Sequence, residues 1–301
     1  MDWEQWLRQS VKRPSDHEDG KRERTEEQIR AALRAHEPLR DRDYVVYAKG
    51  SYANNTNVRL DYDVDVAVEY KGYFYYDLEF DLKDQPKSAV DIVDSTDSYT
   101  RNEFKRDIQD ALVEAFGESA VNPGRIALRV REKKTTLPAD IVPCWEYRRY
   151  DRIENGVPVY HQGTRVYPSS GDHINNYPAQ QLENGTNKNN RTKRRYKRMV
   201  RALKRLQTRL IESGTLTDEL PSYLIECLVY NVPDGDFGHP TYKADMRAVL
   251  AFIFNGTLPS GDWNDWEEVN GLKYLFRGNP SWTHEQVHDL ADAAWDEIGF
   301  E

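Results

Sequence analysis

Gly50-Ser51-Tyr52-Ala53-Asn54-Asn55-Thr56-Asn57-Val58-Arg59-Leu60-Asp61-Tyr62-Asp63-Val64-Asp65 is the stretch on which the fold of this 301-residue chain turns. A Gly-Ser turn comes first, and two aspartates one residue apart lead into the β-type run Val64-Asp65-Val66-Ala67-Val68. Strands place residues i and i+2 on one face, so Asp63 and Asp65 project together. Carboxylates held that close repel unless something cationic sits between them. A hard divalent ion with oxygen ligands is the natural partner. Gly50 and Ser51 offer backbone N–H groups and a hydroxyl, which suit polyphosphate oxygens. Metal plus nucleoside triphosphate is the chemistry that this stretch suggests.

Phosphoryl transfer of that kind commonly adds a third carboxylate from a neighbouring strand. Asp140, in Leu137-Pro138-Ala139-Asp140-Ile141-Val142-Pro143-Cys144, is one acid amid apolar residues. An unpaired charge in such a setting is costly. Taken alone, Asp140 reads more readily as a surface hairpin acid or a salt-bridge partner. Beside Gly50-Ser51 and Asp63-x-Asp65, the third-ligand reading is the better one. No G-x-x-x-x-G-K-[ST] sequence occurs, which excludes a P-loop enzyme.

The wider composition is that of a polar globule, with 31% charged and 38% hydrophobic residues. The chain is long enough for one large domain or two lobes sharing a cleft. No apolar run reaches the length of a membrane span, so no membrane partner is expected. The amphipathic start, Met1-Asp2-Trp3-Glu4-Gln5-Trp6, lacks the apolar core of a signal peptide. Cys144 and Cys227 stand far apart without ligand spacing, so the expectation is a reducing cytoplasm and no structural zinc. Net charge is −9, yet eleven Lys or Arg fall between Thr186 and Glu212, against Glu212 as the one acid there. Such a stripe in an acidic protein suggests phosphate binding at one place rather than a nucleic-acid surface, the alternative being a solvated helix face.

A first helix is expected from Thr25, where Thr25-Glu26-Glu27-Gln28 fits a capping box. Strands are expected over 44–48 and 63–70, linked by a polar loop over 54–61, with an irregular segment over 73–98. A helix over 101–116 follows, from Phe104, Ile108, Leu112 and Phe116 at spacings near four. Two more strands, 126–131 and 139–142, are expected as a hairpin across 134–137. Beyond residue 150 a Gly/Asn-rich stretch over 162–190 leads into a long helix with Tyr196, Met199, Val200, Leu203, Leu206 and Leu210 as its buried stripe. Gly214 is its expected stop. Helices over 219–230, 242–254 and 283–297 complete a helical second lobe. The domain expectation is therefore a catalytic lobe over 1–150 and a mainly helical lobe over 151–301.

Gly-Ser followed about a dozen residues later by Asp-x-Asp, then a distant Asp on a strand, resembles the DNA polymerase β-like nucleotidyltransferase superfamily. Five longer blocks are similar to the bacterial CD-NTases of clade E (CdnE). They are Gly-Ser-Tyr-x-Asn-Asn-Thr-Asn-Val-Arg, Ala-Asp-Ile-Val-Pro-Cys, Asn-Gly-Thr-x-Lys-x-Asn-x-Thr, Tyr-Lys-Arg-Met-Val-Arg-x-Leu-Lys and Ile-Glu-Cys-Leu-Val-Tyr-Asn-Val-Pro. The resemblance runs in order over residues 49–233 and is weak over 72–98, 146–170 and beyond about 235. It implies an α+β fold, a polymerase β-like core of mixed sheet and helices plus a helical lobe, with the active site in the cleft between them. It also implies a signalling enzyme of CBASS anti-phage operons, which joins two nucleoside triphosphates into a cyclic dinucleotide and releases pyrophosphate twice.

On that resemblance Asp63, Asp65 and Asp140 would hold Mg²⁺, with Mn²⁺ as a substitute, and would be the catalytic residues. Gly50 and Ser51 would hold the β- and γ-phosphates. Lys204, with Arg201 as its rival on nearly the same helix face, would reach the triphosphate, and a solvent cation is the alternative for either. Ser222 would bond phosphate or ribose, and Tyr223 would stack on the donor base, its alternative being a core aromatic. An Asn in the acceptor pocket would read a pyrimidine edge as donor and acceptor. Asn190 is the aligned choice, with Asn189 and Asn187 as rivals and a helix-capping loop as the plain alternative. UTP and ATP are the expected substrates and cyclic UMP-AMP the product, with cyclic di-UMP or another pyrimidine mixture as the alternative. The product would reach a CBASS effector by diffusion from a monomeric enzyme. Two other readings compete: a transferase acting on a separate acceptor, and an inactive nucleotide-binding homologue.

Overall fold

The computed structural model describes residues 1–13, 16–58, 63–133, 136–278 and 281–301, with the backbone alone at 16–18. Along these residues the elements are α1 (Trp3–Ser10), α2 (Asp16–Ala35), α3 (Glu37–Arg40), β1 (Tyr44–Ala48) and α4 (Gly50–Asn54). They continue with β2 (Val64–Leu78), α5 (Arg101–Phe116), β3 (Val121–Pro123), β4 (Leu128–Val130), β5 (Ala139–Glu154), β6 (Val157–Val166) and β7 (Ile174–Asn176). Five helices follow: α6 (Pro178–Arg191), α7 (Tyr196–Glu212), α8 (Ser222–Asn231), α9 (Tyr242–Gly256) and α10 (His284–Ile298). Mixed sheet followed by helices is the α+β class expected from the sequence.

The chain forms two compact units, one of Ser15–Lys49 and Tyr62–Pro178, the other of Met1–Pro14, Gly50–Asp61 and Ala179–Glu301. The division is not at residue 150. β5 runs on past that point and turns back into β6 through Asn155-Gly156, with φ of 51° and 79°. Positive φ at both positions of a two-residue loop is the hairpin geometry that Asn-Gly favours. This hairpin keeps the sheet unit intact to residue 178.

The sheet unit is a mixed sheet in the order β1-β2-β5-β4-β3, with β6 on the far half of β5 and β7 beside it. β2 and β5 are parallel, and the other pairs are antiparallel. Period-two alternation gives each face its own character. Val64, Val66, Val68 and Tyr70 of β2 share one face, and Ala139, Ile141 and Trp145 of β5 share it too. All are buried. Phe104 of α5 lies 5.1 Å from the Tyr70 ring and 5.7 Å from the Trp145 ring, so α5 covers this face. The opposite face carries Ala67, Val142, Cys144 and Val166, with the acids at its leading end. Gly72 sits in the irregularity of β2, where a Cβ would fall 2.5 Å from the Tyr70 hydroxyl that bonds Asp97.

α2 begins nine residues before the expected start at Thr25. Thr25 lies within the helix and is buried, its hydroxyl donating to the Lys21 carbonyl and accepting from Leu137 N–H. Capping boxes do form at Thr100-Glu103, at the start of α5, and at Thr283-Gln286, at the start of α10. β4 and β5 pair antiparallel as expected, while part of the expected turn at 134–137 lies outside the described residues. The same holds for the end of the expected loop over 54–61. The segment expected to be irregular over 73–98 begins with the last residues of β2, and the Gly/Asn-rich stretch contains α6.

In the helical unit, the expected stripe of α7 (Tyr196, Met199, Val200, Leu203, Leu206, Leu210) is fully buried against α8, α9 and α10. α7 ends at Glu212, with Gly214 at φ 76°, the left-handed stop that a glycine accepts without strain. Among the described residues no helix is long and apolar enough to cross a membrane.

Candidate active site

Strand register brings the acids together. Asp65 of β2 is the direct partner of Asp140 of β5 in the parallel pair. Adjacent strands lie about 4.8 Å apart, so two carboxylates project from neighbouring positions on one face. Asp63 is exposed and stands two residues before Asp65, at the mouth of β2. On the other flank, Arg129 of β4 is the antiparallel partner of Asp140. Its Nε donates to Asp140 Oδ1 at 3.1 Å and its Nη2 approaches Oδ2 at 3.5 Å. Lys49 closes the row, since its N–H donates to the Asp65 carbonyl beyond the end of β1.

Lys49 just past β1, Asp65 of β2, Asp140 of β5 and Arg129 of β4 therefore form a row in the order β1-β2-β5-β4, two acids between two cations. Arg129 is held above the ordinary guanidinium range, first by its bonds to Asp140 and then by the charge of Asp63. Two adjacent carboxylates with a third nearby fit a hard divalent cation by charge and donor type. They are not gathered at one point here, and both Asp140 oxygens face the guanidinium. Among the described residues no three His, Cys, Asp or Glu side chains are close enough to share an ion.

The other expected site residues belong to the helical unit. Gly50 adopts φ 67° and opens α4, with its carbonyl accepting from Asn54 Nδ2 at 3.0 Å. The Ser51 carbonyl accepts from Thr56 N–H at 2.9 Å. Arg201 corrects the sequence-based expectation of a cation free to meet phosphate. It is 4% exposed and donates through Nε to the Val11 carbonyl and through Nη1 to the Asn55 carbonyl. Burial among Arg13, Arg198 and Arg205 lowers it to about 10, which leaves it cationic at neutral pH.

Lys204 is equally buried and its Nζ donates to the Thr56 carbonyl at 3.1 Å. It also walls a cleft of about 850 Å³ together with Ser222, Gln207, Trp6 and Val58. Ser222 is exposed at the first position of α8. Tyr223 is half-buried against the helical core, with its hydroxyl donating to Glu268 at 2.9 Å. The Asn cluster lies on the last turns of α6. Asn189 uses its side chain to accept from Lys197 N–H at 3.2 Å, capping the start of α7. Asn190 and Asn187 are exposed.

Sequence reasoning missed Arg129 and the buried pair Thr56–Glu226, in which the hydroxyl donates to the carboxylate at 3.0 Å. Leu128-Arg129-Val130 alternates in phase with Ala139-Asp140-Ile141, and that alternation was the available signal for Arg129. Nothing local marks Glu226, which looks like any helical acid in sequence.

The class is that of a nucleotidyltransferase. A model of the nucleotidyltransferase domain matches residues 26–119. A model of the cGAS/DncV-like nucleotidyltransferase C-terminal helical domain matches residues 183–299. The chain belongs to the CD-NTase family and, within it, to the CdnE group. Cyclic dipyrimidine nucleotide synthase CdnE of Cecembia lonarensis is 38% identical over 96% of both chains. The protein of the same description from Legionella pneumophila is 38% identical over 99% of this chain and 98% of its own. The solved structure of Rhodothermus marinus CdnE, a c-UMP-AMP synthase with Apcpp and Upnpp, superposes with a TM-score of 0.83 at 34% identity, covering 99% of this chain and 98% of that one. This chain is a cyclic dinucleotide synthase of the CdnE type.

Proposed function

We propose that the protein joins UTP and ATP into 3′,3′-cyclic UMP-AMP, releasing two pyrophosphates, with Asp63, Asp65 and Asp140 as the catalytic acids. The observation that carries this reading is the register pairing of Asp65 with Asp140, which sets two carboxylates side by side at one end of the sheet. Mg²⁺, or Mn²⁺ in its place, would be held by these three carboxylates and would stabilise the attacking and leaving oxygens of an in-line displacement. Asp140 orients from a rigid central strand, so its loss damages chemistry more than nucleotide binding. Gly50 and Ser51, opening α4, present N–H groups without helical acceptors to the phosphates. Ser222 and Lys204 wall one cleft, which favours a phosphate or ribose contact there over one at Arg201. Tyr223 keeps its ring for the donor base while Glu268 fixes its hydroxyl.

A pyrimidine in the product is supported by the Cecembia and Legionella relatives and by the cyclic UMP-AMP synthase of Rhodothermus marinus, 38% identical over 88% of this chain. The two dipyrimidine synthases favour cyclic di-UMP as a second reading. Asn190, exposed where Asn189 is spent on a cap, is the residue assigned to the uracil edge. The product would act as a diffusible signal to an effector in CBASS defence, made by a cytoplasmic, monomeric enzyme.

Incubation with all four nucleoside triphosphates and Mg²⁺, then phosphatase treatment and mass spectrometry, tests the assignment. The expected species has the mass of cyclic UMP-AMP, and Asn190→Ser shifts the mixture toward purines. A purine-only product from the wild type would overturn the base assignment while keeping the class.

A further inference from the structure

The row across the sheet contains two cations that the reaction chemistry does not account for, Lys49 and Arg129. Arg129 is directly opposite Asp140 on β4, as Asp65 is on β2, and direct cross-strand partners project from the same face. Its guanidinium forks onto both Asp140 oxygens, at 3.1 and 3.5 Å. The side chain is 63% exposed and that of Asp140 is 22% exposed. Leu128 and Val130, on either side of Arg129, are buried on the opposite face, so the strand fixes which way Arg129 points.

We propose that Arg129 is a positioning residue that stands in for a cation at Asp140, holding this carboxylate turned along the sheet and yielding it when a divalent ion enters. The inference rests on the metal reading above. Three carboxylates at one strand end need positive charge at all times, before loading as well as after. A guanidinium on the flanking strand supplies it without filling the space between Asp65 and Asp140. The pair is exposed, and exposed ion pairs are weak. A dication that meets several carboxylates at once therefore displaces it readily. The fork matters as well as the charge, because two parallel donors hold a carboxylate plane in a way that a lysine cannot.

A plain surface ion pair and a placeholder make opposite predictions for metal affinity. If Arg129 only supported the strand, its loss would leave ion binding unchanged or weaken it. As a competitor for Asp140, its loss strengthens binding. The experiment is titration of the full chain with Mn²⁺ alone, without nucleotide, following the free-ion signal by electron paramagnetic resonance. Arg129→Gln is expected to bind Mn²⁺ about two- to fivefold more tightly than wild type, the factor by which an exposed pair competes. Arg129→Lys is expected to fall between them, and Asp140→Asn to bind more weakly than wild type. Thermal unfolding gives a second readout, since Mn²⁺ should raise the Tm of Arg129→Gln further than that of wild type. Equal or weaker binding by Arg129→Gln, with Mn²⁺ bound by wild type and lost in Asp140→Asn, overturns the role of Arg129 alone. No Mn²⁺ binding by any of these proteins overturns the metal reading, and this inference with it.

Discussion

The acids of the sheet unit and the cations of α7 differ in what holds them. Asp63, Asp65 and Asp140 are exposed or half-buried, Asp65 and Asp140 set side by side by strand register and Asp140 bonded to Arg129. Arg201 and Lys204 are 4% exposed each, and backbone carbonyls at 11, 55 and 56 take up their donors. One set of charges is the one proposed to do chemistry. The other fastens the Gly50–Val58 segment into the helical unit. The difference teaches that a basic stripe on an amphipathic helix cannot be read for function until its burial is known.

The largest effect expected from this contrast is at the acids. Asp65→Asn or Asp140→Asn should lower the rate of product formation about a thousandfold, the several kcal/mol that metal-assisted charge stabilisation supplies. Thermal unfolding without metal should move little, because both side chains stay partly in water. Equal losses of Tm and rate would mean that these acids are structural.

Arg201 should behave in the opposite way. Arg201→Met takes a donor from the buried Val11 bond and from the part-buried Asn55 bond, and a loss of about 2–4 kcal/mol in denaturant stability is expected. The loss should be the same with and without nucleotide. Arg205, whose bond to the Gln9 carbonyl is exposed, should cost less than Arg201 when changed to Ala. If instead Arg201→Met left stability intact and raised the KM for nucleotide, the fastening role would be wrong.

The acid-bearing end of the sheet was the most legible part of the molecule because short-range rules govern its placement. Alternation relates Asp63 to Asp65, and an acid in an apolar strand, read together with Gly50-Ser51 and Asp63-x-Asp65, points to Asp140. α5 was found over its full observed span, 101–116, since its apolar spacing is regular. Asn155-Gly156, a hairpin signal, was overlooked, and with it the true extent of β5, β6 and the sheet unit. The start of α2 was misread because Thr25 satisfies a capping box in sequence but bonds instead to Lys21 and Leu137, a partner 112 residues away. Burial of Arg201, Lys204 and Glu226 depends on contacts of that kind, which no local pattern encodes.

A smaller and pH-dependent effect sharpens the comparison. Burial holds the Glu226 carboxyl above its ordinary range, with the Lys204 ammonium and the Thr56 hydroxyl pulling it back. The folded protein therefore binds this proton more tightly than the unfolded chain. The stability that Glu226 contributes is fully present below the ordinary carboxylate pKa and falls as pH rises toward the raised one. Glu226→Gln keeps an acceptor for Thr56 and removes the titration. Its Tm should gain on wild type at about pH 8 relative to about pH 5, and a constant difference across that range would show that Glu226 is not protonated by burial.

The most direct test of the whole account is pyrophosphate release from UTP and ATP with Mg²⁺ and no other acceptor, measured alongside phosphatase-resistant product. The account predicts two pyrophosphates for each cyclic dinucleotide, and neither from Asp65→Asn. Release that required an added acceptor, or that continued in Asp65→Asn at the wild-type rate, would contradict it.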